Sequence, residues 1–241
     1  MDEFLREYVM WGWIHDQGPA ALEKHLDLAN NTRITRLPEC LGDEMRQLVV
    51  IDLACCPFFT RLPESIGQLI HLEVLHLSNC IRLTELPASL YQLQSLKTLN
   101  LTSTGISHVP DTLGNLSALE TLSLVNTGIT MLPESIGKLR KLKYLRLNYC
   151  RHLQRLPTSM CQLGALETLH TEHTKSLVFP SWTVLSRHPR DIREFLWRHH
   201  TPLKMLLFGL ARLHRHHKHG RHYLPLELQN MLFCRIADLY V

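Results

Sequence analysis

The feature that most constrains this chain is a pattern that returns every 23 or 24 residues. Successive copies begin at Leu48, Leu72, Leu96, Leu119 and Leu142. Each reads apolar-x-x-apolar-x-Leu, then a small polar residue, then Leu/Val-Pro and a further apolar pair. A looser copy precedes them through Leu26, Leu28, Leu37 and Pro38, and a fading seventh begins at Leu166, where Thr171 stands in the place of a leucine. A unit this short cannot bury its own apolar face, so the copies must stack into one continuous core.

Within each copy a run such as Leu96-Lys-Thr-Leu-Asn-Leu101 ends in period-two alternation, which turns Leu99 and Leu101 inward and Asn100 outward. This predicts a short strand. The remainder of the unit carries the chain back so that the next strand starts in parallel, and a segment such as Ile136-Gly-Lys-Leu139 after Leu132-Pro133 predicts a helical turn. Parallel strands pair about 4.8 Å apart, whereas packed helices need nearer 8–10 Å. The expected fold is therefore an α/β solenoid, curved into a horseshoe with a concave parallel sheet of seven strands spanning roughly 30 Å.

The residue three places after the last strand leucine checks the register: Asn31, Cys56, Cys80, Thr104, Thr127, Cys150 and Thr174. None is large and apolar. Backbone groups leaving a buried strand lack ladder partners, and a small polar side chain can satisfy them. Cys56, Cys80 and Cys150 are thus expected to be structural, because their separations follow the repeat and match no common metal-ligand spacing.

These segments, notably Leu132-Pro-Glu-Ser-Ile-Gly-Lys-Leu139 followed by Leu142-Lys-Tyr-Leu-Arg-Leu-Asn-Tyr-Cys150, resemble the leucine-rich repeat family over residues 22–180. The likeness extends to the repeats of plant immune receptors and of intracellular Ras-associated scaffold proteins. It implies a protein partner, a part in signal transduction or defense response, and no cofactor. The chain has no Gly-x-x-x-x-Gly-Lys-Ser/Thr nucleotide loop of the kind that drives an ATP switch.

The outward residues at the strand centres are Asp27, Asp52, His76, Asn100, Ser123, Arg146 and His170. Val50, Val74, Thr98, Thr121 and Tyr144 flank them on one side; Asn79, Ser103, Asn126 and Tyr149 flank them on the other. The expected protein-binding set on the concave face is Asp52, His76, Asn100, Ser123, Tyr144, Arg146, Tyr149 and His170. Tyr144, Arg146 and Tyr149 form its densest group, since Tyr and Arg combine large contact area with directed hydrogen bonds. His76 and His170 lie four strands apart, roughly 19 Å, too far to share a proton. No catalytic constellation can be assembled, and the chain is read as no enzyme.

Three segments are expected: an N-terminal helical cap (1–21) rich in Phe4, Tyr8, Trp11 and Trp13, the solenoid (22–180), and a helical extension (181–241). The extension carries ten Lys/Arg against four Asp/Glu, so the basicity of the chain is concentrated there. Its leucines at 203, 206, 207, 210 and 213 mark one helical face, suited to covering the last repeat or to weak peripheral membrane contact. The run His214-Arg-His-His-Lys-His-Gly-Arg-His222 reads as a solvated loop and not as a metal site. Leu224-Pro-Leu-Glu-Leu, leading into Ile236, resembles the opening of an F-box, which implies a rival role as a substrate adaptor of a ubiquitin ligase. Seven cysteines, an odd number, with no secretory leader ahead of them point to a reducing, cytoplasmic setting. No apolar run reaches the ~20 residues of a membrane helix, and no nucleic-acid partner is expected. Together these features predict a noncatalytic protein-binding module, a scaffold or recognition domain.

Overall fold

A computed structural model of the chain describes residues 24–174. The expected N-terminal cap, the C-terminal helices, the histidine run and the F-box-like segment all lie outside the described residues.

Seven three-residue strands form one open parallel sheet in chain order: β1 (His25–Asp27), β2 (Val50–Asp52), β3 (Val74–His76), β4 (Thr98–Asn100), β5 (Thr121–Ser123), β6 (Tyr144–Arg146) and β7 (Thr168–His170). The register is unbroken: Leu26, Ile51, Leu75, Leu99, Leu122, Leu145 and Leu169 pair in one row. All seven are buried, as are Leu28, Leu53, Leu77, Leu101, Leu124 and Leu147 one row further on, where Thr171 takes the seventh place. Repeating the leucine positions therefore builds a ladder of like residues, each closing the gap above its predecessor. Even the loose first copy and the fading seventh hold this register.

The return path is a short 3-10 helix in most repeats: Glu64–Gln68, Ala88–Gln92, Asp111–Asn115, Glu134–Lys138 and Thr158–Gln162, with a one-turn α-helix, Leu41–Glu44, in the first. Each 3-10 turn is preceded by the repeat's proline in extended conformation, which presets the entry and lacks the N–H that would go unbonded there. Some first N–H groups are met from the repeat before, since Glu39 accepts from Glu64 N at 3.1 Å and Glu134 from Ser159 N at 2.9 Å.

These turns pack backbone against backbone. A Cβ placed on Gly42, Gly67, Gly114 or Gly137 would lie 1.9, 2.8, 2.5 or 2.6 Å from the carbonyl oxygen of Ser65, Ser89, Ser135 or Ser159 in the following repeat. Glycine is required here by close approach. The spacing of ordinary side-chain-bearing helices, on which a strongly bent array was expected, does not apply to this layer. Between the third and fourth described turns the pattern changes: Tyr91 occupies the glycine position and is buried, while Thr112 replaces the serine and is exposed. Burial pushes the Tyr91 hydroxyl up to about 12.

Candidate binding face

The three-residue strands present their first and third side chains on one side of the sheet, opposite the leucine core. Asp27, Tyr144 and Arg146 are exposed there, and Asp52, His76, Asn100 and His170 are half-buried. With Tyr149, exposed just beyond β6, seven of the eight expected binding residues are at least partly accessible.

Ser123 is the correction. It is only 4% exposed and its hydroxyl lies 2.8 Å from that of Thr102. Strand alternation fixes the side to which a residue points but not the height of its neighbours. A short serine between the longer Asn100 and Arg146 becomes the floor of the face.

Three central residues also serve the fold. Asp27, Asp52 and Asn100 each accept, through Oδ1, the N–H two residues on, at 3.0 Å from Ala29, 2.8 Å from Ala54 and 3.1 Å from Thr102. These Asx turns start the bend that ends each strand. His76, Arg146 and His170 have no such bond to the turn's backbone, although His170 Nδ1 lies 3.5 Å from Glu172 Oε1.

Beyond the strands runs a column of which the repeat register named Asn79, Ser103, Asn126 and Tyr149 as flanking residues, without its backbone conformation. Asn30, Cys55, Asn79, Ser103, Asn126, Tyr149 and His173 all adopt positive φ, between 53° and 62°. Each of the first six donates its N–H to a carbonyl of the next repeat, for example Tyr149 to Glu172 at 2.8 Å. Asn, Ser and Cys fit such a position because a short polar side chain tolerates the left-handed region and can bond locally. Asn126 reaches Ser103 Oγ at 3.1 Å, and Asn79 reaches Cys55 Sγ at 3.4 Å. Tyr149 and His173 break the rule. Their rings stack with centroids 4.6 Å apart at 15°, and Tyr149 is 45% exposed. Aligning the repeats by column would have found the pair, since both lie two residues past the end of the strand motif.

At the other end of the strands stands a column of alternating charge: Glu73, Lys97, Glu120, Lys143 and Glu167. Lys97 pairs with Glu73 and Lys143 with Glu120, each at 2.7 Å. The Lys143 ammonium holds the Glu120 carboxyl below its usual range. Glu167, at the end of the column, accepts instead from the Tyr144 hydroxyl at 3.0 Å, which raises that phenol.

Cys56, Cys80 and Cys150 are buried free thiols, as expected. Each donates to the last strand leucine of the preceding repeat: Cys56 to Leu28 O at 3.2 Å, Cys80 to Leu53 O at 3.1 Å and Cys150 to Leu124 O at 3.0 Å. Thr104 and Thr127 in the same column turn back to their own repeat, bonding Leu101 O at 2.8 Å and Leu124 O at 2.7 Å. The column supplies the missing ladder partners by two routes, one between repeats and one within. Burial raises all three thiols, Cys80 to about 11. Among the described residues no group of three His, Cys, Asp or Glu is placed to hold a metal ion, and no helix is long and apolar enough to cross a membrane.

Known proteins match this arrangement. The sequence fits a family model described as leucine-rich repeat region over residues 88–183, and one described as leucine-rich repeat over residues 47–69 and 71–93. Among solved structures, the leucine-rich repeat domain of the type III effector XopL is 26% identical with a TM-score of 0.59, over 70% of this chain and 66% of that one. A leucine-rich repeat protein of Leptospira interrogans is 24% identical with a TM-score of 0.47, over 69% and 56%. Internalin C2 of Listeria monocytogenes is 21% identical with a TM-score of 0.47, over 68% and 76%. The chain thus spans less than two thirds of the first two. No curated protein matches it by sequence. The two family models together cover more than half of the chain, their matches follow the repeats that build the sheet, and the chain belongs to the leucine-rich repeat family.

Proposed function

We propose that this chain is a noncatalytic module that binds a protein partner on the exposed face of its seven-stranded sheet. One observation carries the reading: each repeat keeps the same buried residues while setting a different pair of side chains on that face, from His25 and Asp27 at one end to Thr168 and His170 at the other. Such a surface can be varied residue by residue without disturbing the core, which is what partner recognition requires. The residues meant to engage the partner are Asp52, His76, Asn100, Tyr144, Arg146, Tyr149 and His170, with Ser123 beneath them.

Within this reading the module acts as a scaffold or recognition element in signalling, a role suggested by the likeness of its repeats to those of immune receptors and Ras-associated scaffolds. A reducing, cytoplasmic setting suits it, because Cys56, Cys80 and Cys150 donate hydrogen bonds as free thiols. Photo-crosslinking tests the reading. A benzophenone amino acid at Thr98 or Thr121 on the sheet face should capture a partner in extracts of the source cells, whereas the same group at exposed Lys138 on the helical layer should not. Equal capture from Lys138 would place the interaction elsewhere.

A further inference from the structure

The sheet face is not uniform along the solenoid, and its last two repeats combine a free cation with a stacked aromatic pair. Arg146 is exposed at the end of β6 and, among the described residues, its guanidinium enters no hydrogen bond or ion pair. This differs from Lys97 and Lys143, whose charges are met at 2.7 Å. Two carboxylates of the next repeat already have partners. Glu167 is held by the Tyr144 hydroxyl at 3.0 Å, and Glu172 lies 3.5 Å from His170 Nδ1. Beside this guanidinium, one turn beyond the strands, stand the stacked rings of Tyr149 and His173.

Tyr149 sits where the backbone is ill suited to so large a ring, whereas histidine tolerates the left-handed region better. Five of the seven positions in the left-handed column carry Asn, Ser or Cys. A bulky residue at positive φ is strained, and strain that folding does not require points to use. The hydrogen bond from Tyr149 N to Glu172 O would form equally well from an asparagine, so the ring is not needed for the ladder.

Resting on the reading of this face as a binding surface, we propose that its partner presents an acidic, aromatic-containing peptide segment to repeats six and seven. A carboxylate of Asp or Glu forks onto Arg146, and a neighbouring flat side chain packs on the Tyr149–His173 stack. Charge complementarity selects this occupant. An arginine with no internal partner favours a carboxylate, which it can grip with two parallel N–H donors. At the opposite end of the face Asp27 and Asp52 would repel the same segment, which fixes its position along the solenoid.

The test is selection of random 12-residue peptides, displayed on phage, against the full-length chain. The expected result is enrichment of Asp or Glu close to an aromatic residue. Against Arg146→Gln the acidic preference should vanish, and a synthetic selected peptide should bind about tenfold more weakly or worse. Against Tyr149→Asn, which suits the backbone and keeps the fold, the aromatic preference should be lost while the acidic one stays. Lys138→Gln on the helical layer should change neither. Enrichment of basic or uncharged peptides, or an acidic preference that survives Arg146→Gln, would overturn the inference while leaving the face a binding surface. A chain that selects no peptide family would also overturn it, and the cross-linking experiment from Thr98 and Thr121 judges the broader reading independently.

Discussion

The helical layer and the sheet face of this solenoid are built by opposite rules. In the helical layer Gly42, Gly67, Gly114 and Gly137 meet a serine backbone of the next repeat so closely that no side chain fits. On the sheet face the same repeats place Asp52, His76, Asn100, Ser123 and Arg146 side by side, five residue types at one structural position. The difference is one of packing. Where a position is enclosed by the next repeat, size decides the residue, and where it faces solvent, size is free and chemistry can vary. The two buried columns between these extremes, leucine and Cys/Thr, tolerate only residues that fill the space or satisfy a carbonyl.

The sharpest way to break this comparison is to remove a framework side chain. Leu99 is buried between its counterparts Leu75 and Leu122, so Leu99→Ala opens a cavity that neighbouring repeats cannot close. It should cost about 2–5 kcal/mol in chemical unfolding. A smaller loss would show that the strands slide to fill the gap. In the helical layer, adding one methyl should do comparable harm. In Gly137→Ala the new Cβ would meet Ser159 O at 2.6 Å, and backbone cannot yield as a flexible side chain would. A cost of about 1–3 kcal/mol is expected. Gly164→Ala, where nothing lies within 4 Å, should be close to neutral and serves as the control.

How far these features could be read from sequence depended on whether they are periodic. The seven strands, their pairing, the inward leucines and the buried thiols all follow from a period of 23 or 24 residues, because each recurs at a fixed offset. The departures were harder to see. Ser123 reads as a face residue from alternation, but its burial depends on the lengths of Asn100 and Arg146 beside it. Tyr91 occupies a glycine position in a single repeat, and alternation does not show that its ring is buried there. Tyr149 was legible as a large exposed residue. His173 lies in the same column, but their stacking requires a backbone conformation that alternation does not encode.

The thiol column offers a smaller and more specific test. Cys80 Sγ donates to Leu53 O, so Cys80→Ala should leave that buried acceptor without this donor, at a cost of about 1–2 kcal/mol. Labelling with iodoacetamide should modify exposed Cys55 quickly while Cys56, Cys80 and Cys150 react only on unfolding. The same burial gives a pH signature. The folded Cys80 thiol is raised from 9.0 to about 11, so its contribution to stability is complete below pH 9 and is lost as pH rises toward 11. Cys80→Ala should therefore flatten the decline of melting temperature over that interval. An unchanged decline would assign the alkaline loss to other groups.

The smallest stability effect is expected at the residue most important for binding. The Arg146 side chain is exposed, has no hydrogen bond or ion pair among the described residues, and points away from the leucine core. Arg146→Ala should therefore change unfolding free energy by less than about 0.5 kcal/mol, as surface substitutions away from networks usually do. If Arg146→Ala proves as destabilising as Cys80→Ala, the guanidinium is holding the sheet together, and the division between a fixed framework and a free face fails at its most exposed point.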